Sequence, residues 1–225
     1  MNPEAPIVDQ IITRRLEPVS RVFGFDRGTC IDRYYIERFL RAEAAAIRGR
    51  VLEIAENTYT RQFGGDRVTR SDVLHAVEGN PNATVVADLT RADHVPSNTF
   101  DCIICTQTLL VIYDVRAAVR TLYRILKPGG VVLATVPGIS QVSRYDMERW
   151  GDFWRFTTLS ARRLFEEAFG PHNVRIESKG NVLVAVAFLH GLAAHELDEK
   201  ELNSHDPDYQ VLITVRAEKP QDVCD

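Results

Sequence analysis

Two hydrophobic periods alternate along this chain, that of helices and that of buried strands. Over residues 31–48, Ile31, Tyr35, Phe39, Ala42 and Ala46 recur three or four positions apart, which is one face of a helix. Residues 1–50 read as largely helical, with Gly49 as the stop before the first strand. Residues 50–54 are a short apolar strand, and 59–63 a helical turn ended by Gly64 and Gly65. A second strand is expected at 67–70 and a third at 84–87. Residues 100–105 are apolar except for Asp101, as in a central parallel strand buried on both faces. Residues 114–126 predict a helix in which Asp114 caps the start and Val115, Ala118, Leu122 and Leu126 line one face. Lys127-Pro128-Gly129-Gly130 then stops it. A fifth strand follows at 131–136, a helix at 160–169 capped by Ser160, and strands at 173–178 and 210–217. Strands alternating with helices predict an α/β fold: a seven-stranded, mostly parallel sheet with helices on both faces.

Two connections exceed this alternation. Residues 139–158 are polar and aromatic; residues 180–208 hold an apolar helix candidate at 182–194 and an acidic stretch at 196–201. The expected organisation is an N-terminal helical cap (1–50), a core domain (51–217) with insertions at 139–158 and 180–208, and a tail (218–225). Long connections in a compact domain are often lids or binding loops.

Composition narrows the partners. The 225 residues are 45% hydrophobic and 26% charged, ordinary for one globular domain. The net charge of -4 and the lack of a basic stripe argue against nucleic acid. No apolar run reaches the roughly 18–20 residues a membrane span needs, and the first ten residues lack the pattern of a signal peptide. A cytoplasmic location is the expectation. Of Cys30, Cys102, Cys105 and Cys224, the Cys102–Cys105 pair lies in a strand whose alternation puts the two on opposite faces, so a shared metal is not expected. His190, His195 and His205 lack a metal-ligand spacing.

In open α/β sheets, ligands bind beyond the carboxyl ends of the strands. Polar residues follow four successive strands here: Glu53 after the first, Ser71 and Asp72 after the second, Asp88 after the third, Thr106 and Gln107 after the fourth. Such a series suits a nucleoside, one carboxylate taking ribose hydroxyls and another an adenine amine. Any one of these residues alone is as readily a helix cap or turn former.

Val51-Leu52-Glu53-Ile54, Asp88, Phe100-Asp101-Cys102-Ile103-Ile104 and above all Leu126-Lys127-Pro128-Gly129-Gly130-Val131-Val132-Leu133 resemble class I S-adenosylmethionine (SAM)-dependent methyltransferases of the type 11 group. The resemblance covers about residues 30–178. The tail and Trp150-Gly151-Asp152-Phe153-Trp154-Arg155-Phe156-Thr157 resemble bacterial members found with glycosyltransferases and polysaccharide-assembly proteins. The resemblance implies a Rossmann-like sandwich, SAM as cofactor with S-adenosylhomocysteine (SAH) as product, and methyl transfer to a small-molecule or glycan acceptor, foremost a sugar hydroxyl. One departure stands out: where the family's first loop carries glycines, this chain has Ala55 and Asn57. Asn tolerates left-handed geometry, and a modified but competent pocket is expected. The missing glycines count against NAD(P), whose pyrophosphate needs close backbone approach.

Carried over by position, the resemblance puts Glu53, Ala55 and Asn57 at the methionine end of SAM. Asp72 and Val73 fall at the ribose, Asp88 and Leu89 at the adenine, and Thr106 and Gln107 beneath the methyl. An alcohol acceptor needs a base; the candidates are His75, Tyr145, Asp146 and Asp152. The two aspartates are favoured, with a pKa raised by neighbouring aromatics, although pairing with Arg144, Arg149 or Arg155 is the competing reading. Trp150 and Trp154 suit the flat faces of a sugar, whereas Phe153 and Phe156 fit the core at least as well. Arg33 and Tyr34, at the start of a helix, are candidates to touch SAM's carboxylate or the acceptor. The competing functions are a methyltransferase of another small molecule, a nicotinamide oxidoreductase, and a non-catalytic Rossmann-like binding module.

Overall fold

The computed structural model describes residues 15–221. Its centre is a seven-stranded sheet of β1 (Gly49–Ile54), β2 (Val68–His75), β3 (Val85–Val86), β4 (Phe100–Thr106), β5 (Leu126–Pro137), β6 (Val174–Lys179) and β7 (Leu212–Glu218). The strand order is β3-β2-β1-β4-β5-β7-β6. The first five run parallel, and β7 is antiparallel to both β5 and β6.

The helices are α1 (Ile31–Ala42), α2 (Val115–Ile125), α3 (Arg144–Arg149), α4 (Thr158–Phe169), α5 (Val182–Leu189) and α6 (Glu199–Asn203). Alternation in β4 sorts them into two layers. Cys102 and Ile104 pack with α1 and α5 on one face; Ile103 and Cys105 pack with α2 and α4 on the other. The two cysteines thus occupy opposite, dry faces, where burial raises both thiols.

Several boundaries differ from the sequence expectation. The helix expected over 31–48 ends at Ala42, followed by a short 3-10 turn at Ala44–Ala46. The cap of α4 is Thr157, whose hydroxyl accepts from the Ser160 amide while Ser160 bonds back to it; Ser160 itself is the third helical residue. β5 begins five residues early: Leu126 already pairs with Phe100, and Lys127–Gly130 loop out before Val131 pairs with Cys102. Gly129, at φ 73°, makes that loop, and Lys127 reaches back to both carboxylate oxygens of Asp101 at 2.8 and 2.9 Å.

The largest difference is β2, expected at 67–70 and found at Val68–His75. Ser71 and Asp72 look like turn residues by type. Asp72 instead lies mid-strand opposite Leu52, and it is buried. It survives burial because it is saturated: Arg50 donates at 2.6 Å, Arg70 at 3.1 and 3.2 Å, and the Thr84 hydroxyl at 3.0 Å. The carboxyl end of β2 is His75.

The chain before α1 locks onto the segment after α5. Arg27 forms a two-pronged ion pair with Glu196, Cys30 bridges to Ala193, and the Tyr35 hydroxyl donates to the Leu202 carbonyl at 2.7 Å. Together they cover one sheet face and bring the start of α1 over the ends of β4 and β5.

Burial alone would raise the Asp72 carboxyl, but its Arg50, Thr84 and Arg70 partners more than offset that and hold it below the ordinary range. Its stabilising contribution is therefore complete above the unfolded-state value of about 3.9 and is lost as pH falls through the lower folded value. Asp72→Ala is expected to cost about 1.5–3 kcal/mol of unfolding free energy at neutral pH, read by urea denaturation; a change under about 0.5 kcal/mol would mean that the clamp stabilises nothing.

Candidate active site

The parallel strands end level with one another, and the chain leaves them around a cavity of about 700 Å³, within the usual range for a small-molecule site. Its floor is Ala55 after β1, His75 at the end of β2, Asp88 and Leu89 after β3, and Thr106 and Gln107 at the end of β4. Tyr113 and Asp114, just before α2, and Asp146, Trp150 and Phe153, from the segment after β5, form the walls.

Two exits from the sheet are left-handed at residues that are not glycine: Ala55 at φ 72° and Gln107 at φ 47°. Each is held by its neighbours. The Ala55 amide donates to the Leu74 carbonyl at 2.8 Å, its carbonyl accepts from Asn80 at 2.7 Å, and the Gln107 amide donates to Thr135 at 2.9 Å. Such strain persists only where surrounding bonds over-determine it, and it clusters at functional sites.

Glu53 lies beneath the first loop, outside the cavity. It is buried, and it accepts from the Tyr59 and Thr60 amides and the Thr60 hydroxyl at 2.7–3.1 Å. Burial raises its carboxyl despite those three donors. Asn57 donates to the Ser71 hydroxyl at 3.2 Å; neither it, Asp72 nor the buried Val73 lines the cavity. Asp88 does. Burial would raise its carboxyl, but the Thr90 amide and hydroxyl, both at 2.8 Å on one oxygen, together with Arg91 hold it low.

His75 occupies the strand end that sequence reasoning had given to Asp72. Its Nδ1 lies 2.7 Å from the Val77 carbonyl, which assigns the proton there and leaves Nε2 as an acceptor. Trp150 meets the imidazole edge-on at 5.7 Å and closes that end. The apolar pair Val73-Leu74 after Asp72 was the available sign that β2 runs on.

The segment after β5 is organised by Arg155 and Asp152. Arg155 grips Asp152 with two nitrogens and also donates to the carbonyls of Ser140, Gln141 and Trp154. The Asp152 side chain is fully buried and also accepts from the Ser143 amide at 2.8 Å. The Arg155 bonds hold its carboxyl below the ordinary range, against burial. Asp152 is thus not the raised-pKa base expected from the sequence: it is neutralised and lies outside the cavity. Asp146 lines the cavity, and among the described residues no donor reaches its carboxylate.

Trp154 also differs from expectation. It packs against the core, its Nε1–H is spent on the Ile112 carbonyl at 3.0 Å, and Phe153 rather than Trp154 faces the cavity. Phe156 is core. Tyr145 is exposed, with Arg149 over its ring at 3.7 Å, and does not reach the cavity. Arg33 is exposed, and Tyr34 lines a separate surface depression with Arg38. Asp32, between Ile31 and Arg33, is the residue of α1 that faces the strand ends.

The cavity wall carries the carboxylates Asp88, Asp114 and Asp146 and no Lys or Arg. That favours a cationic ligand such as a sulfonium over a pyrophosphate.

Residues 43–134 match the family profile described as a methyltransferase domain. A stretch of 50 residues, 22% of this chain, is 50% identical to phosphoethanolamine N-methyltransferase 3 of Arabidopsis thaliana and spans 10% of that protein. A SAM-dependent methyltransferase from Archaeoglobus fulgidus superposes with a TM-score of 0.54 at 12% identity, over 83% of this chain and 94% of its own. The N-methyltransferase NodS of Bradyrhizobium japonicum, solved with SAH, superposes with a TM-score of 0.52 at 13% identity, over 96% and 100%. The sheet order and these superpositions show the Rossmann-like fold of class I methyltransferases, and the central part of the chain matches a methyltransferase-domain profile.

Left-handed geometry costs Ala55 about 1–2 kcal/mol, part of which a glycine would give back as unfolded-state entropy. Ala55→Gly is expected to raise stability by about 0.5–1 kcal/mol in urea denaturation; a loss of stability would show that the loop is relaxed as it stands.

Proposed function

We propose that this chain transfers the methyl group of SAM to a small-molecule acceptor that enters beside Gln107. The observation that carries this reading is the cationless, carboxylate-lined cavity at the carboxyl ends of β1 to β4. When bound there, SAM supplies an electrophilic methyl on a positively charged sulfur. Asp88 and Leu89 take the adenine end. His75 takes a ribose hydroxyl through Nε2, the role that sequence reasoning gave to Asp72. Thr106 and Gln107 flank the transferring methyl, and Ala55 lies against the methionine end. Glu53 and Asn57 act one step back, by holding the first loop in shape.

Positioning supplies much of the acceleration in such an in-line displacement, because the leaving group is already good. The sugar or glycan hydroxyl expected from the sequence draws support from the aromatic wall of Tyr113, Trp150 and Phe153 around the cavity mouth. An acceptor carrying phosphate or carboxylate would meet like charge along the wall of this larger cavity. Among the described residues no helix is long and apolar enough to cross a membrane.

Isothermal titration tests the reading. SAM and SAH are expected to bind the wild type with NADH inert, and His75→Ala to weaken SAH about fivefold for one lost hydrogen bond, while Asp72→Asn leaves it within twofold. NADH binding without SAH would select a nicotinamide enzyme; binding of neither would select a non-catalytic module.

A further inference from the structure

A second, smaller cavity of about 130 Å³ adjoins the first, and Gln107 and Asp146 line both. Asp32 from the first turn of α1 lines it with Pro137 at the end of β5, Phe188 from α5 and Arg155, whose guanidinium is already paired with Asp152. It is therefore the side of Gln107 away from the nucleoside end, where an acceptor atom would meet the methyl group.

Asp32 is held there firmly. Ile31 beside it is fully buried, Cys30 bridges to Ala193, and Tyr35 one turn later is tied to Leu202. Asp32 is half-buried; its carboxylate accepts from the Arg33 amide at 2.7 Å, with its own amide also favouring the charged form, and forms no ion pair among the described residues. Burial pushes it above the ordinary carboxylate range, with that amide and the Arg33 charge opposing. The contrast with Asp152 is direct: that carboxylate is gripped by Arg155, held low and turned away from the cavity. A base is most effective when its pKa lies near the operating pH and when it has an oxygen to spare.

We propose that Asp32 is the residue that receives the acceptor's proton. The inference rests on the SAM reading above. A lone pair on the acceptor oxygen forms the new bond to the methyl carbon, and the carbon–sulfur bond breaks with its electrons on sulfur, leaving neutral SAH. The acceptor's proton passes to a carboxylate oxygen of Asp32 and from there to solvent. Gln107 and Asp146, at the junction of the two cavities, orient the acceptor.

Sinefungin tests this without knowledge of the acceptor, because it carries an ammonium-bearing carbon where SAM has its methylsulfonium. A carboxylate facing the transferring methyl should pair with that ammonium. Wild type is expected to bind sinefungin roughly tenfold more tightly than SAH, from one charge-assisted bond. Asp32→Asn should abolish most of that preference while SAH affinity stays within twofold, and Asp32→Glu should retain part of it. A thermal melt of each variant checks that the fold is intact. A preference for sinefungin unchanged in Asp32→Asn overturns the assignment. So does loss of SAH affinity in that variant with the melt unchanged, since Asp32 would then be holding the cofactor's amino-acid end. Failure of SAH to bind the wild type overturns the SAM reading instead, so the two ideas fail separately.

Discussion

The cavity exists because the chain must leave two adjacent parallel strands sharply, and it does so through left-handed residues at Ala55 and Gln107. A parallel sheet buried on both faces gives its strands no other route: each must turn at its carboxyl end toward a helix on one layer or the other. With β1 and β4 hydrogen-bonded side by side, their two turns peel apart and open a trough between them. Glu53 fixes the first turn from below through the Tyr59 and Thr60 amides, and Thr135 of β5 fixes the second. The first exit is where the resemblance to type 11 methyltransferases leads one to expect glycine. Here alanine occupies the same left-handed position, so the loop keeps its path at an energetic cost and with one extra methyl against the cavity.

The acidic residues of the chain divide by partner. Asp72, Asp101 and Asp152 each hold Arg or Lys, and each ties two stretches of chain together: β1 to β2, β4 to the loop at the start of β5, and the two ends of the segment after β5. These are structural carboxylates, held low in pKa. Asp32, Asp88, Asp114 and Asp146 line the two joined cavities. Asp88 and Asp114 each accept backbone amides of their own turn or helix cap, and the second oxygen of Asp88 faces Arg91 at 3.6 Å. The wall of the larger cavity thus carries carboxylates and no Lys or Arg, while Arg155, paired with Asp152, lines the smaller one.

The layered α/β fold was legible because β4 and α2 have strong, unambiguous periodicity. The site was legible where a strand end coincided with a change from apolar to polar residues, as at Asp88, Thr106 and Gln107. It failed at β2, because a polar pair in mid-strand looks like a turn until the arginines that neutralise it are seen; Arg50 is 22 positions from Asp72. The same blindness affected Asp152 and Trp154. For Asp152 the competing reading, a pair with nearby Arg155, is the one found, and Trp154 spends its indole N–H on the distant Ile112 carbonyl. The place of Asp32 is not legible in the sequence, because nothing local says that α1 begins over the ends of β4 and β5. That placement comes from the Arg27–Glu196 and Cys30–Ala193 contacts, which join stretches far apart in sequence.

The most direct test of the account is a crystal structure of the protein grown with SAH. The ligand is expected along the strand ends, with its adenine beside Asp88 and Leu89, its ribose within hydrogen-bond distance of His75 Nε2, and its sulfur beside Gln107 facing the smaller cavity. Density for SAH against Asp72, or in the depression beside Tyr34, or a cavity left empty at saturating SAH, would contradict it.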